Sequence, residues 1–179
     1  TWADNAPFSP PGDGDGTGRL RIGVWSSSGD ISGLPYTDIV LDTGAMPFPY
    51  NANYPYSFGA LPANTYQVLA WVDADNDGEY DLGEPRSPQG TIAYSGTPVV
   101  GHNVTVRDDS DSDSLPDWWE AQHGVSPLGA ADPNSDNGHG ISYLKAFVTG
   151  SDNAIIPAVQ NGATPTISWP SVTGRLYSL

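Results

Sequence analysis

Cysteine is absent from this 179-residue chain, so no disulfide can brace it and no thiolate can act as nucleophile or soft metal ligand. Bases are scarce too: 6 Lys and Arg stand against 21 Asp and Glu, for a net charge of −15. That balance argues against nucleic acid, whose recognition needs Lys and Arg at the phosphates, and against anionic membrane surfaces. No apolar run approaches the roughly 20 residues that cross a bilayer, so membrane insertion is not expected. The chain opens at Thr1 without a leader pattern and reads as a processed product or a fragment. Histidine is limited to His102, His123 and His139, and no Ser stands in a nucleophile-elbow context. Each histidine has an ordinary structural explanation: His102 on a strand, His123 at a helix end, His139 in a degenerate loop. A non-enzymatic role is expected.

What is abundant is acid, and it is packeted. Twelve of the 21 acidic residues fall within 73–84 or 108–120. The stretches DADNDGEYDLGE, from Asp73, and DSDSDSLPDWWE, from Asp109, place acids at the same offsets: first, third, fifth, ninth and twelfth. This is the spacing of an EF-hand calcium loop, in which alternating side chains, one backbone carbonyl and a closing bidentate carboxylate wrap a cation that takes six to eight oxygens. In the first loop Asp73, Asp75, Asp77, Asp81 and Glu84 are side-chain candidates, Glu79 offers its carbonyl, and Gly78 stands at the sharp turn. In the second, Asp109, Asp111, Asp113, Asp117 and Glu120 are the candidates with the Leu115 carbonyl, but Ser114 replaces the glycine. Runs of Asp, Gly and Ser also suit solvated turns. Yet carboxylates about 5 Å apart repel by roughly 3 kcal/mol per pair at an effective dielectric near 20, so an ordered loop here needs a cation.

Two Ca²⁺ ions are therefore expected, and they bear on compartment. Without disulfides, metal binding can supply folding free energy, and the weak millimolar class of calcium sites belongs outside the cell. The expected location is extracellular, whether secreted, on the cell surface or in a matrix.

The 21 glycines and 17 prolines favour strands and turns over long helices. Residues 1–17 read as an extended arm. Residues 18–107 hold six short β-like runs, GRLRIGVWS, YTDIVLD, YPYSFG, TYQVLAWVD, GTIAYS and PVVGHNVTV, and imply an antiparallel β-sandwich carrying the calcium loop at 73–84. No helix pair flanks that loop, so it should bind constitutively rather than switch. Residues 108–153 read as a small two-helix calcium unit. One helix follows Pro116 and stops at Gly124; the other, ISYLKAFVTG, has Ile141, Leu144, Lys145 and Val148 at helical spacing and ends at Gly150. Residues 154–179 form a linker and an exposed terminal strand with nothing after it to pair with. The fold class is thus mainly β.

YQVLAWVDADNDGEYDLGEP resembles the signature of transthyretin-like, or carboxypeptidase-regulatory-like, β-sandwiches of bacterial surface proteins. DSDSDSLPDWWEAQHGVSP with DPNSDNGHGISYLKAFVTGSD is similar to the thrombospondin type 3-like calcium repeats that follow such sandwiches in secreted proteins. Together the resemblances cover residues 18–153 and imply calcium and the cell exterior. Where the repeat carries a further Asp-rich loop, the closing position here falls at Ala146, so Asp132, Asn134 and Asp136 offer at most a partial third site or cap the following helix. The resembled sandwich also has a strand before GRLRIGVWS that the Pro7, Pro10 and Pro11 arm cannot supply.

One missing strand and one surplus strand suggest a partner: another copy of the same chain. The expected function is a calcium-stabilised structural subunit of an extracellular filament or biofilm matrix, the strand around 166–179 of each copy inserting into the next, head to tail. Trp169, Val172, Leu176, Tyr177 and Leu179 are the expected anchors. The alternative is a calcium-binding carbohydrate-binding or accessory module of a larger secreted enzyme or adhesin, with sugars stacking on Tyr50, Tyr54, Tyr56 and Phe58 or on Trp118 and Trp119. Glycans could also be carried by the chain, and Asn103-Val104-Thr105 matches a sequon.

Overall fold

A computed structural model describes residues 18–26, 30–42, 53–129, 133–150, 158–160 and 166–168. The arm at 1–17, Tyr50, Asp132 and the anchors Trp169, Val172, Leu176, Tyr177 and Leu179 lie outside the described residues. The chain is mainly strand, with one four-stranded antiparallel sheet and two short helices.

The sheet is built from β1 (Arg19–Ser26), β2 (Thr37–Asp42), β3 (Asn64–Asp73) and β4 (Gly90–Tyr94), in the order β2-β1-β3-β4. Apolar alternation sets its register, with Leu20 opposite Val72, Ile22 opposite Ala70 and Val24 opposite Val68. These residues, with Tyr66 and Val106, make the main core on one face. Successive side chains of a strand point to opposite faces, and the other face is not left to water. Trp25, Leu69 and Trp71 form a second cluster there, roofed by Ile31 and Tyr80. Gly23 is needed beneath it, because an added Cβ would meet Pro35, Trp25 and Trp71 at 3.1 Å.

Two of the six expected strands do not form. Residues 53–62 and 98–105 run as irregular backbone over the main core, and among the described residues no second sheet closes the expected sandwich. Pro55, Pro62 and Pro98 remove the amide donors and restrict the dihedrals that a ladder requires. The segments are tied instead by side chains, the Tyr56 hydroxyl donating to the His102 carbonyl. Only beyond Val106 does pairing resume, where Arg107 and Arg86 exchange backbone hydrogen bonds of 2.8 and 2.9 Å.

The two helices fall where their stop signals put them. α1 (Asp117–Gln122) follows Pro116, and Gly124 takes φ 70° just beyond it. α2 (Tyr143–Thr149) starts at Ser142, whose Oγ accepts from the Lys145 amide at 3.2 Å, and ends on Gly150 at φ 67°. The buried face of α2 differs from the expected stripe. Ala146 and Phe147 are buried with Ile141, whereas Lys145 and Val148 are exposed. Phe147 decides this, since it packs edge-on against Trp118 and Trp119 of α1 at 6.3 and 5.9 Å between ring centroids.

The terminal strand has a partner that its sequence did not reveal. β5 (Ala158–Gln160) and β6 (Thr166–Ser168) pair antiparallel in a sheet of their own. β6, the described part of the expected terminal strand, therefore pairs with a strand that precedes it, and the rest of that run, 169–179, lies outside the described residues.

Candidate metal centre

The two acidic stretches share one backbone. At the fourth position Asn76 and Ser112 take φ 65° and 67°; at the sixth, Gly78 and Ser114 take 88° and 82°. In each loop the fifth amide donates to the third carboxylate, Asp77 to Asp75 at 3.1 Å and Asp113 to Asp111 at 3.3 Å. The seventh donates to the fifth, Glu79 to Asp77 at 2.7 Å and Leu115 to Asp113 at 2.8 Å. These side-chain turns wind alternate carboxylates into a common space.

Oxygens of Asp73, Asp75 and Glu84 lie within 4.8 Å of one another, as do those of Asp75, Asp77 and Asp81, and those of Asp109, Asp111 and Asp113. These clusters can hold a metal ion. Eight of the ten expected carboxylates are thus gathered. Asp117 is turned aside: its two oxygens accept from the Ser110 amide at 2.7 Å and the Ser110 hydroxyl at 2.6 Å. Glu120 lies outside the tight cluster but within the field of all four aspartates of its loop. Of the two backbone candidates, Glu79 has its carbonyl oriented by Trp71 Nε1, which donates to it at 2.8 Å. Leu115 is fully buried, with its amide engaged in the loop.

The closing glutamates differ. Glu84 accepts from the amides of Ala74 at 2.6 Å and Asp81 at 3.0 Å. Burial, with the charges of Asp73 and Asp75, still pushes its carboxyl up to about 8 against those hydrogen bonds. Glu120 is 0% exposed, and neither of its oxygens has a hydrogen-bond partner among the described residues. Burial, and then the charges of Asp113, Asp111, Asp117 and Asp109, push it up to about 9. A carboxylate so placed must be neutralised, by a proton or by a cation. Asp117 is likewise raised, to about 6, chiefly by burial.

Residues outside the loops complete the first site. Asp73 ends β3 fully buried; one oxygen pairs with the Arg21 guanidinium, which also binds Asp38, and the other is unpartnered among the described residues. Arg21 thus holds Asp73 from behind while leaving an oxygen for the cluster. Its signal in the sequence was slight, one of two arginines in a strand with no indication of which strand lay beside it.

The loops are also fastened to each other. Gly83, at φ 103°, lies against α1 so closely that an added Cβ would sit 2.8 Å from the Ala121 Cβ. The strap after Glu84 is bound on both sides, Val72 donating to the Pro85 carbonyl at 2.9 Å and Arg86 pairing with Arg107. Buried Arg86 lies over the Tyr80 ring at 4.9 Å, and the Asp117 amide donates to the Asp108 carbonyl at 2.7 Å.

Around residues 134–142 the Asp136 carboxylate accepts from the amides of Gly138 at 2.7 Å and Gly140 at 3.2 Å, shaping the approach to α2. Among the described residues no acidic cluster forms there. Trp118 and Trp119 are buried rather than displayed as a stacking platform. No helix among the described residues is long and apolar enough to cross a membrane. Comparisons of the chain with protein-family models, with curated proteins and with solved structures find no match.

Proposed function

We propose that the chain is a calcium-stabilised structural subunit of an extracellular filament or matrix, built on the sandwich and calcium-repeat plan its motifs resemble. The observation that carries the calcium reading is Glu120, a fully buried carboxylate with no hydrogen-bond partner among the described residues, at the closing position of a loop whose three aspartates converge. Only oxygen donors line the two loops, which suits a hard cation. The EF-hand register, repeated on two loops with matching left-handed positions, favours Ca²⁺ over the smaller Mg²⁺, which retains several waters. Each ion replaces a proton at the closing glutamate and ties the first loop to the end of β3 and the second to the start of α1. The role is structural rather than catalytic, and the extracellular placement follows from the calcium supply.

Polymerisation is supported by the four-stranded sheet, against which no second sheet packs among the described residues. Its main apolar face is covered by irregular segments instead of a second sheet, so the sandwich is completed, in this reading, by a C-terminal segment donated from another copy. The test is electron microscopy of the full chain in millimolar Ca²⁺ and after EGTA, with terbium luminescence sensitised through Trp71 and competed by Ca²⁺ or Mg²⁺. Fibres that dissolve on chelation and a signal displaced preferentially by Ca²⁺ are expected. A monomer indifferent to EGTA overturns the reading.

A further inference from the structure

Over the main apolar face lies a cleft of about 710 Å³. Its floor is Val24, Tyr66 and Val68 with Ile92 and Tyr94 of the edge strand β4, and its walls are residues 54–61 and 98–103. Val99 and Val100 stand on the rim with 51% and 88% exposure. Exposed apolar side chains gathered on a folded chain mark contact sites, and Val99 and Val100 stand over the face where a sandwich's second layer would lie.

We infer that this cleft is the seat of the β5–β6 hairpin of a second copy of the chain, an inference that rests on the polymer reading above. Charge gives the first argument. Among the described residues no Asp, Glu, Lys or Arg lines the cleft of a protein whose net charge is −15, so a charged guest would lose its hydration there without gaining a counterion from them. Residues 153–174, which contain the hairpin, are also free of Asp, Glu, Lys and Arg. Strand physics gives the second. Among the described residues β5 and β6 pair with each other and with no strand of the larger sheet, and a two-stranded hairpin in water is marginal unless a further strand or an apolar face supports it. β4 supplies both, since it is hydrogen-bonded on one side to β3 and presents Ile92 and Tyr94 to the cleft. A guest hairpin laid there adds a layer to the sheet and covers the exposed valines.

The absence of cysteine makes the test direct. Full-length V100C and I167C single variants, each checked for native circular dichroism, are mixed in Ca²⁺ and joined by mild oxidation or a short bis-maleimide. A cross-link between the two variants, mapped to residues 100 and 167 and several-fold above either variant alone, is expected. Polymer that forms without this cross-link overturns the cleft as the seat and leaves the polymer reading standing. Absence of both polymer and cross-link at every concentration removes both. A V100C/I167C double variant that closes within one diluted monomer assigns the cleft to the chain's own hairpin, and stoichiometric uptake of an apolar dye by the assembled form assigns it to a small molecule. Either result overturns the second-copy assignment.

Discussion

The loop after β3 and the loop before α1 wind the same backbone, but they balance their charge differently. In the first, the protein itself provides much of what an ion would: Arg21 holds Asp73, Trp71 orients the Glu79 carbonyl, and Glu84 accepts from two amides. In the second, Ser110 has drawn Asp117 away and Glu120 is left buried without a partner. The first loop is prearranged by the sheet it grows from, whereas the second leaves a buried carboxylate that a proton or a cation would have to neutralise. A common ligand spacing therefore does not imply a common dependence on metal.

Chelation gives the largest expected effect. At a free ion concentration a hundred times Kd each site contributes about 2.7 kcal/mol. Two sites lost amount to roughly 5 kcal/mol, or about 10–20 °C in melting temperature for a chain of this size. Calorimetry with and without EGTA reads this directly, and hydrogen exchange should show protection falling first around α1 and only later around β3.

Gly83→Ala comes next. A Cβ there meets Ala121 in a backbone conformation that L-residues resist, and overpacking with left-handed strain costs about 2–4 kcal/mol. Because Gly83 is where the loops touch, calorimetric titration should show both ions binding more weakly, although the substitution lies in one loop.

The closing glutamates can be separated without metal. Glu84→Gln leaves one carbonyl oxygen for two amides and is expected to destabilise the metal-free protein by about 1–3 kcal/mol. Glu120→Gln breaks no hydrogen bond made among the described residues, so metal-free stability should hardly change while the second ion is lost. Urea unfolding in EGTA distinguishes them, and equal losses would erase the contrast.

Acidity sharpens the same point. Both glutamates are raised in the folded chain, from 4.5 to about 8 and about 9, so without metal the folded state holds protons that the unfolded state has released. Their stabilising effect is complete below pH 4.5 and is lost as pH rises through 8 and 9. With Ca²⁺ present the trend should reverse, because the ion binds the ionised forms. Melting curves between pH 5 and 9, with and without Ca²⁺, test both signs.

The smallest change is Ser114→Gly. Ser114 takes φ 82° where the first loop has Gly78, and relieving it should add about 0.5–1 kcal/mol to loop two. Replacing Gly78 by Ala should cost a similar amount, since its Cβ meets only ordinary contacts from 3.6 Å outward.

Much of this was legible in the chain. The acidic spacing identified the carboxylates that gather, because alternate positions of a tight Asp-rich loop converge whatever lies around them. Alternating Leu20, Ile22, Val24 and Tyr66, Val68, Ala70, Val72 in the runs GRLRIGVWS and TYQVLAWVD lie on the main core face, and Gly150 ends α2 as its position after the helical run implied. What failed had two sources, prolines inside the segments themselves and contacts distant in sequence. YPYSFG and PVVGHNVTV have strand-like residues, but their prolines and the Tyr56–His102 bond hold them out of a ladder. The buried face of α2 followed Phe147 because two tryptophans from another helix were waiting for it.

The sequence by itself determined two acidic loops of one design, the alternation that makes a sheet, and a chain without sulfur bridges to hold it. Only the tertiary structure decided that Arg21 stands behind Asp73, that Gly83 joins the two loops, and that Glu120 is buried with no hydrogen-bond partner among the described residues. Those outcomes depend on which side chains meet across the sheet and helix, and contacts between residues far apart in the chain leave no local spacing to read.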